Sequence, residues 1–128
     1  MLTPNKSFVK LASGTVLSYN DEAKRQFASQ GKKVLKAIAE SMGLAKGTYD
    51  IRWNPGGIAV SGDIVLHGES IYVDLSQTFA GPDCGFMYRS CKGRKDYTGG
   101  VNHWANWDQL LDLDKFAKKL VEVSKSGT

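Results

Sequence analysis

The sequence lacks any apolar run long enough to cross a membrane, because its longest apolar stretches last only a few residues and a transmembrane helix needs about 20. Met1 to Gly14 also lacks the apolar block of a secretory signal. Cysteine is scarce: Cys84 and Cys91 are too few for a disulfide-rich secreted scaffold. We therefore expect a cytoplasmic protein with free thiols.

Motifs of metal and cofactor sites are also missing. Structural zinc sites usually bring cysteines in pairs two to four residues apart, and Cys84 and Cys91 are more widely spaced. The glycines at Gly93 and 99–100 lack the strand and helix context of a phosphate loop. We expect no metal and no cofactor. An enzyme is the third alternative, after the two binding functions given below. Its catalytic group would be a cysteine near a histidine, or a pair of aspartates.

Nothing in the composition divides the chain. Its 128 residues are 41% hydrophobic and 23% charged, which is ordinary for a globular protein, and we find no internal repeat and no linker rich in Pro, Gly or Ser. The sequence predicts a single domain over residues 1–128, in which residues 1–18 form either a short hairpin or an arm.

Two segments have the apolar spacing of helices. The first runs from Asn20, a good cap, to Met42, and Gly43 is placed to adopt the left-handed conformation that ends a helix. The second starts at Asp112 or Asp114 and runs to Val123. A helical turn through Leu111 is predicted just before this second helix, because Asn106 and Gln109 are three residues apart, as in a capping box.

Between the helices, short apolar stretches are separated by turn residues, which is typical of an antiparallel meander. The candidate strands are Tyr49 to Trp53, Ile58 to Ser61, Ile64 to His67, Ser70 to Leu75 and, after a loop, Phe86 to Cys91. The sequence therefore predicts an α+β fold: an antiparallel β-meander of four to five strands, with an N-terminal and a C-terminal helix packed on one face.

The segment from Tyr88 to Trp104, here called the basic segment, has the most unusual composition. It combines cations, aromatic rings and glycines, as does a surface that holds phosphates and stacks planar groups. The candidate binding residues are Arg89, Lys92, Arg94, Lys95, Tyr97, His103 and Trp104. In the alternative interpretation, Tyr88, Trp104 and Trp107 are core residues and residues 94–96 are a solvated loop.

The net charge of +4 favours anionic partners. We therefore expect a non-enzymatic binding protein whose basic segment engages a phosphate-rich partner, either nucleic acid or a nucleoprotein. The alternative is a protein-binding function in which the same arginine, tyrosine and tryptophan residues anchor an interface.

The run from Tyr88 to Gly100, preceded by the strand sequence from Gly68 to Val73, resembles small uncharacterised proteins of bacteriophages and other mobile elements. The resemblance covers the middle and later part of the chain. It implies a phage accessory protein in the host cytoplasm: a virion component, or an inhibitor of a host defence complex. It carries over no catalytic residue.

Overall fold

The computed structural model describes residues 21–54, 63–76, 86–93 and 101–126. Several sequence predictions lie outside these residues. They are the hairpin or arm of residues 1–18, the cap at Asn20, the strand from Ile58 to Ser61, Cys84, and the candidate binding residues Arg94, Lys95 and Tyr97.

The described residues form an α+β structure, as predicted. Helix α1 spans Asp21–Met42 and helix α2 spans Leu113–Ser126, and a 3₁₀ helix at Trp107–Leu111 directly precedes α2. Five strands lie between α1 and the 3₁₀ helix: β1 (Asp50–Asn54), β2 (Asp63–His67), β3 (Ile71–Ser76), β4 (Phe86–Ser90) and β5 (His103–Ala105).

The strands form one antiparallel sheet in the order β1-β2-β3-β4-β5, so each strand pairs with its neighbour in sequence. Side chains alternate between the two faces of such a sheet. Ile64 of β2, Val73 of β3 and Phe86 of β4 point toward the helices and join the core. We call the opposite side of the sheet the polar face, because it carries His67 and Arg89.

Both helices pack on the core side, as predicted. Phe27 of α1 and Phe116 of α2 are buried there, and α1 and α2 also contact each other. Phe116 meets the rings of Phe86 and Tyr88 edge-on, at centroid distances of 5.4 and 5.5 Å. Edge-to-face ring pairs of this kind stabilise a core beyond the area that they bury.

Helix α1 ends where the sequence predicted, in a Schellman motif. Gly43 has φ of 80°, its amide donates to the carbonyl of Glu40, and the amide of Leu44 donates to the carbonyl of Ala39. Helix α2 starts after Asp112, whose Oδ1 accepts a hydrogen bond from the amide of Lys115 at 3.2 Å. Asp112 is therefore the cap, one of the two residues predicted to start the helix.

Three local features differ from the predictions. Strand β5 was not predicted. The capping box is wrong: Asn106 makes no side-chain cap bond, because the amide of Gln109 donates to the backbone carbonyl of Asn106, and the Gln109 side chain accepts a hydrogen bond from Lys119 Nζ at 3.1 Å. The hairpin after His67 turns through residues 69–70, one position later than predicted, because the amide of Gly68 donates to the carbonyl of Ile71.

Candidate binding site

The register of the sheet aligns four polar side chains in one row across the polar face. Asp50 of β1 pairs with His67 of β2, His67 with Tyr72 of β3, and Tyr72 with Arg89 of β4. Arg52 lies two residues from Asp50 on the same side of its strand. A row of directly paired residues brings side chains into contact across the strands.

Arg89 is buried, although the sequence interpretation treated it as an exposed cation. It is 4% exposed, and its guanidinium carbon lies 4.1 Å from the centroid of the Tyr72 ring. A guanidinium N–H lies 3.5 Å from the carbonyl oxygen of Ser90, the outer limit of a hydrogen bond. Among the described residues, no carboxylate lies within ion-pair distance of Arg89. Its charge is therefore stabilised chiefly by the tyrosine ring.

His67 is fully buried, and its hydrogen bonds identify its tautomer. The Nδ1 atom lies 3.0 Å from a guanidinium nitrogen of Arg52. A guanidinium only donates, so Nδ1 must accept. The other ring nitrogen, Nε2, therefore carries the hydrogen and donates it to the carbonyl oxygen of Gly93 at 2.9 Å. The imidazole is neutral in this arrangement.

The electrostatic surroundings of His67 agree with a neutral ring. Burial lowers the pKa of His67 below its usual value of 6.5, and the charges of Arg52 and Arg89 lower that pKa further. The hydrogen bond to Gly93 and the charge of Asp50 act in the opposite direction without reversing the shift. At His67, the charges of the two arginines therefore outweigh the charge of Asp50.

Three hydrogen bonds join residues 91–93 of the basic segment to strand β2 and the turn that follows it. The amide of Cys91 donates to the carbonyl of Ser70 at 3.1 Å, and the Cys91 thiol donates to the carbonyl of Gly68 at 3.3 Å. The bond from His67 to Gly93 is the third. Residues 91–93 are thus held against β2 and the turn that follows it.

The remaining described candidates lie at the surface or near it. Lys92 is exposed, and Trp104 is 57% exposed on strand β5. His103 is half-buried and stacks on Tyr88 at a centroid distance of 5.2 Å. Trp104 pairs with Met87, which lies two residues from Arg89 on β4, so Trp104 and Arg89 share the polar face.

The alternative interpretation of the aromatic residues is confirmed for two of the three. Tyr88 and Trp107 are 5% and 2% exposed and belong to the core. Trp104 is not a core residue, because its strand position directs it away from the helices. Burial also raises the pKa of Tyr88 above its usual range.

Sequence reasoning missed Arg52, His67 and Tyr72 as neighbours of Arg89. Each lies at an alternate position of a predicted strand, and the period-2 pattern does place them on the face opposite the apolar residues. The pattern did not give the register that aligns them. In the described ranges, no three His, Cys, Asp or Glu residues come together as metal ligands, and no described helix is long and apolar enough to span a membrane.

Comparison of the chain with protein-family models, with curated proteins and with solved structures gives no match in any of the three.

Proposed function

We propose that the chain is a non-enzymatic binding protein, encoded by a phage and acting in the host cytoplasm, whose basic segment engages nucleic acid or a nucleoprotein. The observation that carries the proposal is the exposed Trp104, on the same face as Arg89 and close in sequence to the cations of residues 92–95. An indole ring in water is a stacking surface for bases, and lysine and arginine side chains neutralise phosphates.

The hydrogen bonds of residues 91–93 support this proposal. Binding costs conformational entropy when a loop must be ordered, and part of that cost is absent when the loop starts from a rigid anchor. Cys91 and Gly93 are hydrogen-bonded to strand β2 and the turn that follows it, so Lys92 between them has a restricted position. Arg94 and Lys95 follow directly in sequence.

The test is fluorescence anisotropy with single- and double-stranded DNA and RNA over a salt series. We expect the wild-type affinity to fall by about tenfold or more between low and physiological salt, because phosphate contacts release counterions. Replacing Lys92, Arg94 and Lys95 together with Ala should weaken binding and make the salt dependence shallower. Replacing Trp104 with Ala should cost about 1–3 kcal/mol for each base that stacks on it.

The matched control replaces Lys32, Lys33 and Lys36 with Ala. These exposed lysines of α1 give the same change in net charge at a different place. A similar loss of affinity in both triple variants would contradict the proposed location, because it would show that only total charge matters.

A protein partner is the second candidate function. It is favoured by Val101 and Trp104, which are 66% and 57% exposed. Trp104 lies in β5, an edge strand of the described sheet, and Val101 lies two residues before that strand. Exposed apolar and aromatic residues of this kind anchor protein interfaces. Absence of binding to any nucleic acid at low salt would reject the first candidate in favour of this one, and binding to a protein partner should then depend weakly on salt.

A further inference from the structure

The charge of Arg89 needs more hydrogen-bond acceptors than the described residues supply. A guanidinium keeps its charge at every pH that a protein tolerates and presents five N–H donors. Among the described residues, the guanidinium of Arg89 has as partners only the face of the Tyr72 ring and the carbonyl oxygen of Ser90, which is 3.5 Å away, at the outer limit of a hydrogen bond. The contact with the ring face therefore leaves most of the N–H donors of Arg89 without an acceptor among the described residues.

The polar face carries carboxylates as well as arginines. The charges of Arg52 and Arg89 both act on His67, which is neutral and adds no negative charge that would offset them. Asp50 lies 3.7 Å from Arg52 and balances that residue. Asp74 lies in the next row of the polar face, opposite Met87. It forms no ion pair with Arg89.

We propose that Arg89 is the centre of a binding site for a phosphate group. A planar guanidinium presents two parallel N–H groups that match two phosphate oxygens, and such charge-assisted pairs are roughly twice as strong as neutral hydrogen bonds. The contact with the Tyr72 ring and the burial of the side chain restrict the position of the guanidinium before the ligand arrives. The site is thus preorganised for a bidentate oxyanion.

The position of Trp104 indicates what is attached to the phosphate. Arg89 and Trp104 are diagonal neighbours on adjacent strands, and the Cα atoms of such neighbours lie about 7–8 Å apart. A planar ring on Trp104 and a phosphate on Arg89 are two parts of one nucleotide. This inference rests on the proposed function and deepens it: a single-stranded segment binds with one phosphate at Arg89 and a base on Trp104.

The experiment uses the full chain labelled with ¹⁵N-arginine, in which the Nε–Hε resonances of four arginines are observed by NMR. Variant Arg89→Lys assigns the Arg89 resonance by its loss. Sodium phosphate is titrated against sodium chloride at equal ionic strength. We expect a saturable shift of the Arg89 resonance with phosphate, and no comparable shift of Arg25, which is exposed on α1.

Arg89→Lys is also the functional variant, because it keeps the positive charge and a cation over Tyr72 but removes the planar pair of donors. We expect phosphate to raise the melting temperature of the wild type and not that of Arg89→Lys. Binding of a short single-stranded oligonucleotide should weaken by about tenfold in this variant, which corresponds to about 1.4 kcal/mol.

Comparing different phosphate-containing ligands identifies the source of the phosphate. Oligonucleotides with and without a 5′-phosphate show whether the terminal group or the backbone is bound. A shift with inorganic phosphate but no oligonucleotide binding would support the site for a small phosphorylated ligand and reject the nucleic-acid function. Equal oligonucleotide binding by wild type and Arg89→Lys, with no phosphate-induced shift of Arg89, would overturn the inference and leave the proposed function standing.

Discussion

The Nδ1 atom of His67 accepts a hydrogen bond from the guanidinium of Arg52, 3.0 Å away, so the two residues form a contact that exists only while the imidazole is neutral. The same neutral ring donates to Gly93, 26 residues along the chain. Protonation of His67 would therefore remove the contact with Arg52, whereas Nε2 would keep its hydrogen and its bond to Gly93.

We expect the free energy of unfolding to fall as the pH falls below about 6.5. The pKa of His67 is lowered in the folded protein, so the unfolded chain binds a proton first on acidification. The contribution of neutral His67 to stability is complete above its pKa in the unfolded chain. It is lost as the pH falls toward its lower pKa in the folded protein. Urea denaturation at pH values from about 5 to 8 measures this loss.

Variant His67→Gln is the control for the pH experiment. Its amide can donate to the Gly93 carbonyl, but it has no titrating group. The decrease of stability with acidification should be smaller than in the wild type. If the two proteins lose stability equally over this pH range, His67 is not the group responsible.

The helix faces can be tested by truncating one core residue of each helix. Ile38 and Phe116 are 0% and 2% exposed, and replacing either with Ala should cost about 2–5 kcal/mol. Lys36 is exposed on the same helix as Ile38, so Lys36→Ala should stay within about 0.5 kcal/mol of the wild type. Urea denaturation measures all three, and an unchanged midpoint for both core variants would mean that the helix faces are misassigned.

Gly43 should destabilise through backbone conformation alone when it is replaced by Ala, as should Gly47, which has φ of 85° and the same open space. The φ of 80° at Gly43 is left-handed, and an added Cβ would meet nothing within 4 Å. The expected cost is about 1–2 kcal/mol. Gly93 also has open space but no left-handed φ, so Gly93→Ala should change stability by less than about 0.5 kcal/mol. A comparable loss in Gly43→Ala and Gly93→Ala would exclude this explanation.

The cysteines should hold neither a metal nor a required disulfide. Replacing Cys84 and Cys91 with Ser should leave the fold intact, and at Cys91 the serine hydroxyl can still donate to the carbonyl of Gly68. Circular dichroism and thermal unfolding of the double variant check the fold. Stoichiometric zinc in an elemental analysis of the wild type would contradict this prediction, and so would unfolding of the wild type when a chelator is added.

The fold was predictable where the signal lies within one element. Gly43 and Leu44 follow a clear helical pattern, so the end of α1 was correctly predicted down to its Schellman motif. Strand β5 has only three residues, which is too short for an alternating pattern to appear. Its His103 and Trp104 therefore seemed to belong to the loop before them.

The site was less predictable because its contacts depend on register. Tyr72 and Arg89 are far apart in sequence and meet because β3 and β4 pair at that position. A shift of one residue would place Arg89 on the core side. Composition alone therefore identified Arg89 as a candidate but gave no indication that Tyr72 covers its guanidinium.

The hydrogen bond from Ser41 Oγ to Asp114 Oδ1, 2.7 Å long, joins positions 73 residues apart, whereas each strand pairs with the next strand in sequence. During synthesis on the ribosome, α1 emerges before the sheet and α2 emerges after it. Each strand can pair with the next soon after it appears, but the side of α1 that packs against α2 has no partner until α2 has emerged. We expect this side of α1 to be the surface that chaperones bind on the nascent chain.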